Sequence, residues 1–229
     1  MIDKDLATKW HNHLIENKYA YNFSWLGRPI IQEPQDIICL QEVIWAVKPD
    51  LIIETGVAHG GSMVLEASIL AMLDAEKYIP NRKVVGIDIE IREHNLKALV
   101  THPLRKYFHL IESSSIEKRT VNDVKRITGL YDRILVVLDS NHTHDHVLKE
   151  LEAYAPLVSK GSYCIVFDTG VEDIPTELCF GRPWGKGNSP RTAVWQYLRE
   201  TPHMFTIDKS IEDKMATVSN PDGWLRRNL

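Results

Sequence analysis

The sequence predicts an α/β chain built on a mostly parallel seven-stranded sheet, with helices on both faces and a C-terminal antiparallel hairpin. Three observations predict it. Short, continuously apolar runs recur along the chain, as strands buried on both faces require. Segments with helical periodicity separate these runs, and parallel neighbours need such crossovers. Of the 229 residues, 44% are hydrophobic and 25% charged, enough to bury a core of that kind and keep a polar surface.

In chain order, residues 3–18 read as a helix. Residues 21–34 read as irregular, punctuated by Gly27, Pro29 and Pro34. Residues 35–47 form an amphipathic helix stopped by Pro49. The regular series then begins. Its first strand is Leu51-Ile52-Ile53-Glu54, and Gly60-Gly61-Ser62 opens a helix running to about Glu76. The second strand is 83–88, ending at Asp88, and the third is 107–111. The fourth, 134–138, leads to Asp139, and a helix follows over 145–156. The fifth, 163–167, leads to Asp168, with a helix over 191–200. Phe205-Thr206-Ile207-Asp208 and Ala216-Thr217-Val218 read as the closing hairpin. Residues 1–34 are then an N-terminal helix with a substrate or oligomer segment, and 35–229 the main domain.

Composition excludes several classes. Lys+Arg is 27 against 31 Asp+Glu, a net charge of -4, so no electrostatic footprint for nucleic acid is expected. No apolar run is long enough to span a bilayer. Three cysteines without metal-ligand spacing, and no apolar leader, make the cytoplasm the default compartment; Cys164 reads as a core thiol.

Sheets of this type bind ligands beyond the carboxyl ends of their strands, so those residues matter most. After the first strand stands Glu54-Thr55-Gly56-Val57-Ala58-His59-Gly60-Gly61-Ser62. Glycines there let a backbone approach a ligand, although a tight strand-to-helix turn would need them as well. Asp88, at the end of the next strand, can accept hydrogen bonds from both hydroxyls of a ribose. This pair suits NAD and S-adenosylmethionine alike, and two details separate them. The glycines do not follow the G-x-G-x-x-G spacing of a pyrophosphate turn. Glu54 is also poor company for a pyrophosphate and good company for the cationic amino-acid end of S-adenosylmethionine.

Asp139 and Asp168 close the fourth and fifth strands. If these two strands are neighbours, they lie about 4.8 Å apart and the two carboxylates can share one hard cation such as magnesium. The alternative is a pair of turn-capping aspartates. His142, His144 and His146 alternate, which points successive side chains to opposite faces and argues against a zinc triad. His142 is better placed as a general base, because an imidazole can take a proton from a hydroxyl near neutral pH. His144 and His146 read as surface or helix-capping residues. The loop over 181–190, with three glycines and two prolines, follows the fifth strand as a lid or substrate wall, or as a plain surface loop. Trp25 is a similar candidate, with a core or interface anchor as its alternative.

Taken together, Trp25-Leu26-Gly27, Ile31-Gln32-x-Pro34-x-Asp36, Glu54-Thr55-Gly56, Gly60-Gly61-Ser62, Asp139 with His142, Asp168, the 185–190 loop and Asn220-Pro221-Asp222-Gly223 resemble the cephalosporin hydroxylase-like family, which includes rhamnosyl O-methyltransferases. The resemblance covers nearly the whole chain. It implies a Rossmann-like class I methyltransferase fold and S-adenosylmethionine held by Glu54, Gly56, Ala58, Gly60, Ser62, Asp88, Ser114 and Asp139. It implies magnesium on Asp139 and Asp168, with His142 near the transferred proton. Related magnesium-dependent enzymes often carry two acidic or amide residues in tandem after the fifth strand. Here Phe167 precedes Asp168 and Thr169 follows it, so a further ligand would come from Thr169, Glu172 or Asp173.

The expected activity is O-methylation of a sugar or small hydroxylated metabolite by a homo-oligomer, with His142 and Asp139 as catalytic residues. Two rivals predict otherwise. An NAD-dependent enzyme of the same architecture would bind reduced nicotinamide. A catalytically silent ligand-binding relative would ignore changes at Asp139 and His142.

Overall fold

A computed structural model describes residues 3–229. The chain opens with α1 (Lys4–Glu16), whose first amides are capped by Asp3, and a hairpin of β1 (Phe23–Trp25) and β2 (Arg28–Ile30). The hairpin lies in the stretch expected to be irregular. The main body follows: α2 (Pro34–Val47), β3 (Leu51–Thr55), α3 (Gly61–Glu76), β4 (Lys83–Asp88), α4 (Glu93–Val100), β5 (Phe108–Glu112) and α5 (Lys118–Thr128). Then come β6 (Ile134–Leu138), α6 (His144–Tyr154), β7 (Tyr163–Val166), α7 (Pro190–Glu200), β8 (Phe205–Ile207), α8 (Lys209–Glu212) and β9 (Trp224–Arg227).

The seven-stranded sheet runs β5-β4-β3-β6-β7-β9-β8. Five central strands are parallel, and only the β7–β9 and β8–β9 pairs are antiparallel. Alternation along each strand feeds two cores. Ile52, Val84 and Leu135 face α2 and α3, whereas Leu51, Ile53 and Val136 face α5, α6 and α7. Among the described residues, no helix is long and apolar enough to cross a membrane.

The hairpin arm expected at 216–218 is corrected. The strand that pairs with β8 is β9, at 224–227, and it inserts between β8 and β7. Trp224 packs into one core and Leu225 into the other, a two-sided burial that the 216–218 segment lacks. Thr217 instead meets the Gln35 side chain at 2.6 Å. Helices α4 and α5 are additional to the elements expected from the sequence. Each buries two residues in its own span, Asn95 and Leu99 or Thr120 and Val124.

Candidate active site

The chain leaves β3 outward through β4 to β5, then returns to β6 on the other side of β3. Loops after β3 and β6 therefore diverge and open a crevice at the carboxyl ends. The turn after β3 is pressed onto the end of β6. Asp139 N–H donates to Thr55 O at 2.9 Å, and Gly56 N–H donates to Ile87 O at 2.8 Å. Gly56 has φ +92°, and a Cβ there would stand 2.0 Å from Asp139 O. Only glycine meets both demands.

A cavity of about 880 Å³ fills this crevice, and Gly56, Ala58, Ser62, Asp139, His142 and Asp168 all line it. The remaining residues expected in the site lie elsewhere. Glu54 sits behind the turn, fully buried, with neither carboxylate oxygen partnered. Burial pushes its carboxyl up to about 8, and the Asp88 charge adds to the rise. Gly60 caps α3 in the left-handed region and abuts Leu99. Asp88 and Ser114 stand to the side, beyond β4 and β5. Oδ2 of Asp88 accepts from Val57 N–H at 2.8 Å and Ala58 N–H at 2.9 Å, so this carboxylate already braces the glycine turn. The Ser114 carbonyl accepts from Glu117 N–H.

At the other end, β6 and β7 are paired neighbours, so Asp139 and Asp168 leave adjacent strands. Asp139, His142 and Asp168 each offer one ligand atom, all within 4.8 Å of one another. His142 Nε2 is 3.3 Å from Asp168 Oδ2. Lost hydration, then the charges of Asp168 and Glu54, holds the partly exposed Asp139 well above the usual carboxylate range. Asp168 adopts φ +55°, which aspartate tolerates, and its N–H donates to Asn220 Oδ1 at 2.7 Å.

Thr169 is not placed to ligate: it is fully buried and its hydroxyl donates to Pro221 O at 2.6 Å. The other two suggested ligands are also engaged. Glu172 accepts from Gly187 N–H and Ser189 Oγ, and Asp173 pairs with Arg191. Phe167 packs edge-on to Trp224 in the core. Of the three alternating histidines, His142 lines the crevice. His144 bonds Thr192 and Gln196 on α7, and His146 lies against Ser115 and Ser140.

The loop over 181–190 does reach the cleft. Trp184 meets the His142 ring edge-on at 4.9 Å, and Gly185 and Asn188 close the loop with two backbone hydrogen bonds. Trp25 donates to Ser68 Oγ at 3.1 Å and packs on the core. His11, Leu14 and Ile15 of α1 form part of the cavity wall.

Sequence reasoning missed Glu66, a buried α3 residue one turn beyond Ser62 whose oxygens have no partner. A lone acid at an apolar-face position was the available signal. Burial, then the charges of Glu54 and Asp139, raises its carboxyl well above 4.5, so the folded chain keeps a proton that the unfolded chain releases. Stability is therefore lost as pH rises above 4.5. Glu66→Gln is expected to raise the Tm of the chelator-treated protein at pH 8 by roughly 2–4 °C, an effect of about 1 kcal/mol. The gain at pH 5 should be smaller, and an equal gain at both would show that Glu66 is not holding the proton.

Residues 17–228 match the family described as Rhamnosyl O-methyltransferase/CmcI. A Rhamnosyl O-methyltransferase of Mycobacterium bovis is 29% identical over 225 residues, covering 97% of this chain and 85% of that protein. Its counterpart from Mycobacterium leprae is 26% identical over 223 residues, covering 97% and 90%. A solved CmcI structure with Mg and SAM superposes with a TM-score of 0.61 at 17% identity, over 91% of this chain and 78% of that one. The apo structure of CalS11, a TDP-rhamnose 3′-O-methyltransferase, gives 0.52 at 18% identity, over 75% and 73%. With these two structures the likeness is one of fold.

Proposed function

This chain belongs to the Rhamnosyl O-methyltransferase/CmcI family, and from that membership we propose a specific chemistry: S-adenosylmethionine-dependent, magnesium-assisted O-methylation of a sugar hydroxyl. The observation that carries it is the convergence of Asp139, His142 and Asp168 on a crevice closed from behind by the glycine turn and the unpartnered Glu54.

The residues fit both groups. A fully buried carboxylate without a partner suits the ammonium end of S-adenosylmethionine, and Gly56 keeps the backbone open beside it. Asp139 and Asp168 supply hard oxygen donors for magnesium, which commonly binds through one or two carboxylates and keeps its other positions for water or substrate. Because Thr169, Glu172 and Asp173 are engaged elsewhere, two carboxylates suffice for this reading.

When bound, S-adenosylmethionine supplies an electrophilic methyl group and magnesium lowers the pKa of the acceptor hydroxyl. The chain does the rest. His142 takes the hydroxyl proton at the ring nitrogen turned away from Asp168, and the Asp168 carboxylate, 3.3 Å from Nε2, stabilises the imidazolium that forms. Trp184 holds the ring against rotation and covers the proton-transfer site from water. Asp88 keeps the glycine turn in register through its two backbone hydrogen bonds, and its ribose role is exercised from that position.

Parallel calorimetry with S-adenosylhomocysteine and NAD tests this reading. The expected result is S-adenosylhomocysteine binding in the low micromolar range, about -8 kcal/mol, with methyl transfer abolished by chelator and restored by magnesium. Binding of reduced nicotinamide without S-adenosylhomocysteine would overturn it. Activity indifferent to chelator would remove the ion alone.

Residues 1–34 serve as a substrate and assembly segment on the methyltransferase domain at 35–229. No α1 residue is buried in the single chain, and Leu6 and Trp10 are 66% and 55% exposed. A homodimer covering that face is expected by light scattering, and a monomeric mass at high protein concentration would exclude it. The three free, buried cysteines accord with a cytoplasmic setting.

A further inference from the structure

The crevice is larger than its reacting corner needs, and a second wall of it is polar. Gln32, Glu33 and Asp36, at the junction of β2 and α2, line it together with His11 and Ser219. Gln32 is 6% exposed and Asp36 1%. Their hydrogen-bonding capacity is unevenly used. Glu33 is occupied: it accepts from His11 Nε2 at 2.8 Å, from Gln35 and from Thr217. Asp36 is half occupied, with Ser219 Oγ on Oδ2 and nothing on Oδ1. Gln32 has neither its amide nitrogen nor its oxygen partnered.

Leaving such groups buried and unpaired costs about 1–3 kcal/mol each, so a site that keeps them is built for a guest that pairs them. Their positions point the same way. Gln32, Asp36, Asp139 and Asp168 all line one and the same cavity. The polar wall therefore adjoins the carboxylates of the reacting corner.

We propose that Gln32 and Asp36 form the acceptor subsite, reading the hydroxyls next to the one that is methylated. This rests on the reading of the chain as a sugar O-methyltransferase. The free valences are one carboxylate acceptor, one amide donor and one amide acceptor. They match a vicinal diol: one hydroxyl donates to Asp36 Oδ1, and its neighbour accepts from Gln32 Nε2 and donates to Gln32 Oε1. The Glu33–His11 pair fixes the wall from behind and ties it to α1. Ile174, Leu178 and Phe180 on the cavity lining offer apolar surface to the C–H face of a pyranose ring.

The test uses full-length protein loaded with S-adenosylhomocysteine and magnesium, and methyl α-L-rhamnopyranoside as probe, read by saturation-transfer NMR. In turnover with S-adenosylmethionine, the same glycoside serves as acceptor. Asp36→Asn and Gln32→Met are each expected to weaken glycoside binding and raise its KM about tenfold, with the S-adenosylhomocysteine Kd unchanged and the Tm no lower. A residue that only held the fold would weaken S-adenosylhomocysteine binding and lower the Tm as well. Wild-type glycoside affinity in both variants would overturn the subsite. So would a wild-type protein that binds catechol, a planar diol, in preference to the glycoside. Failure of the wild type to bind S-adenosylhomocysteine at all would instead overturn the methyltransferase reading, and the subsite with it.

Discussion

His142→Ala is expected to lower kcat by roughly 10²–10⁴-fold, the range for loss of a general base. That corresponds to about 2.7–5.5 kcal/mol of transition-state stabilisation. The expectation follows from position. Nε2 lies 3.3 Å from Asp168 Oδ2, the ring is steadied by Trp184, and the side chain is only 13% exposed. S-adenosylhomocysteine affinity should be nearly unchanged, because the proposed cofactor contacts are those of Glu54 and the glycine turn and not of the imidazole. The magnesium concentration for half-maximal activity separates the two roles open to this imidazole. If it is unchanged, His142 acts as base. If it rises steeply while turnover at saturating magnesium recovers, His142 is a third ligand and the general-base assignment is lost. A raised acceptor KM with unaltered kcat would place His142 in binding only.

Gly56→Ala should damage the fold as well as the site. The residue sits at φ +92°, where a side chain brings strain of about 1–3 kcal/mol. The added Cβ would also meet Asp139 O at 2.0 Å and Asp139 C at 2.6 Å, both backbone atoms that no rotamer change can move. Relief requires β3 and β6 to part at their carboxyl ends, overpacking worth about another 1–3 kcal/mol. Set against a total stability of about 5–15 kcal/mol, this should appear as a fall in Tm of several degrees or more, with loss of S-adenosylhomocysteine binding. Gly187→Ala is the control. Gly187 also has positive φ, +82°, but open space around its Cβ position, so only the strain applies. A Gly56→Ala protein that melts no lower than Gly187→Ala would show that the close approach to Asp139 is not maintained in solution.

Strand ends were legible because buried parallel strands are written as apolar runs, and the run stops where the sheet stops. Asp139 and Asp168 follow such runs and line the crevice, whereas Glu54 and Asp88 belong to their strands and stand outside its lining. Helices α4 and α5, of 8 and 11 residues, were not found: they are short and polar on average, so they give a weaker signal than the apolar runs beside them. The edge strand was misplaced for a related reason. Thr217-Val218 has the local preference for a strand, yet 224–227 has the two-sided burial, and burial outweighs propensity.

By itself, the sequence determined the parallel α/β architecture, the glycine turn after the first central strand and an acid after each of two later strands, because each is set by residues close together in the chain. Tertiary structure alone decided the rest. It seated α1 and the 31–36 segment on the same cavity as Asp168, more than half the chain away in sequence. It turned Thr169 inward to Pro221 and gave Glu172 to the lid loop, and it buried Glu66 beside two other carboxylates. Those outcomes depend on which distant atoms compete for each polar group once water is excluded, and no local pattern of residue types encodes that competition.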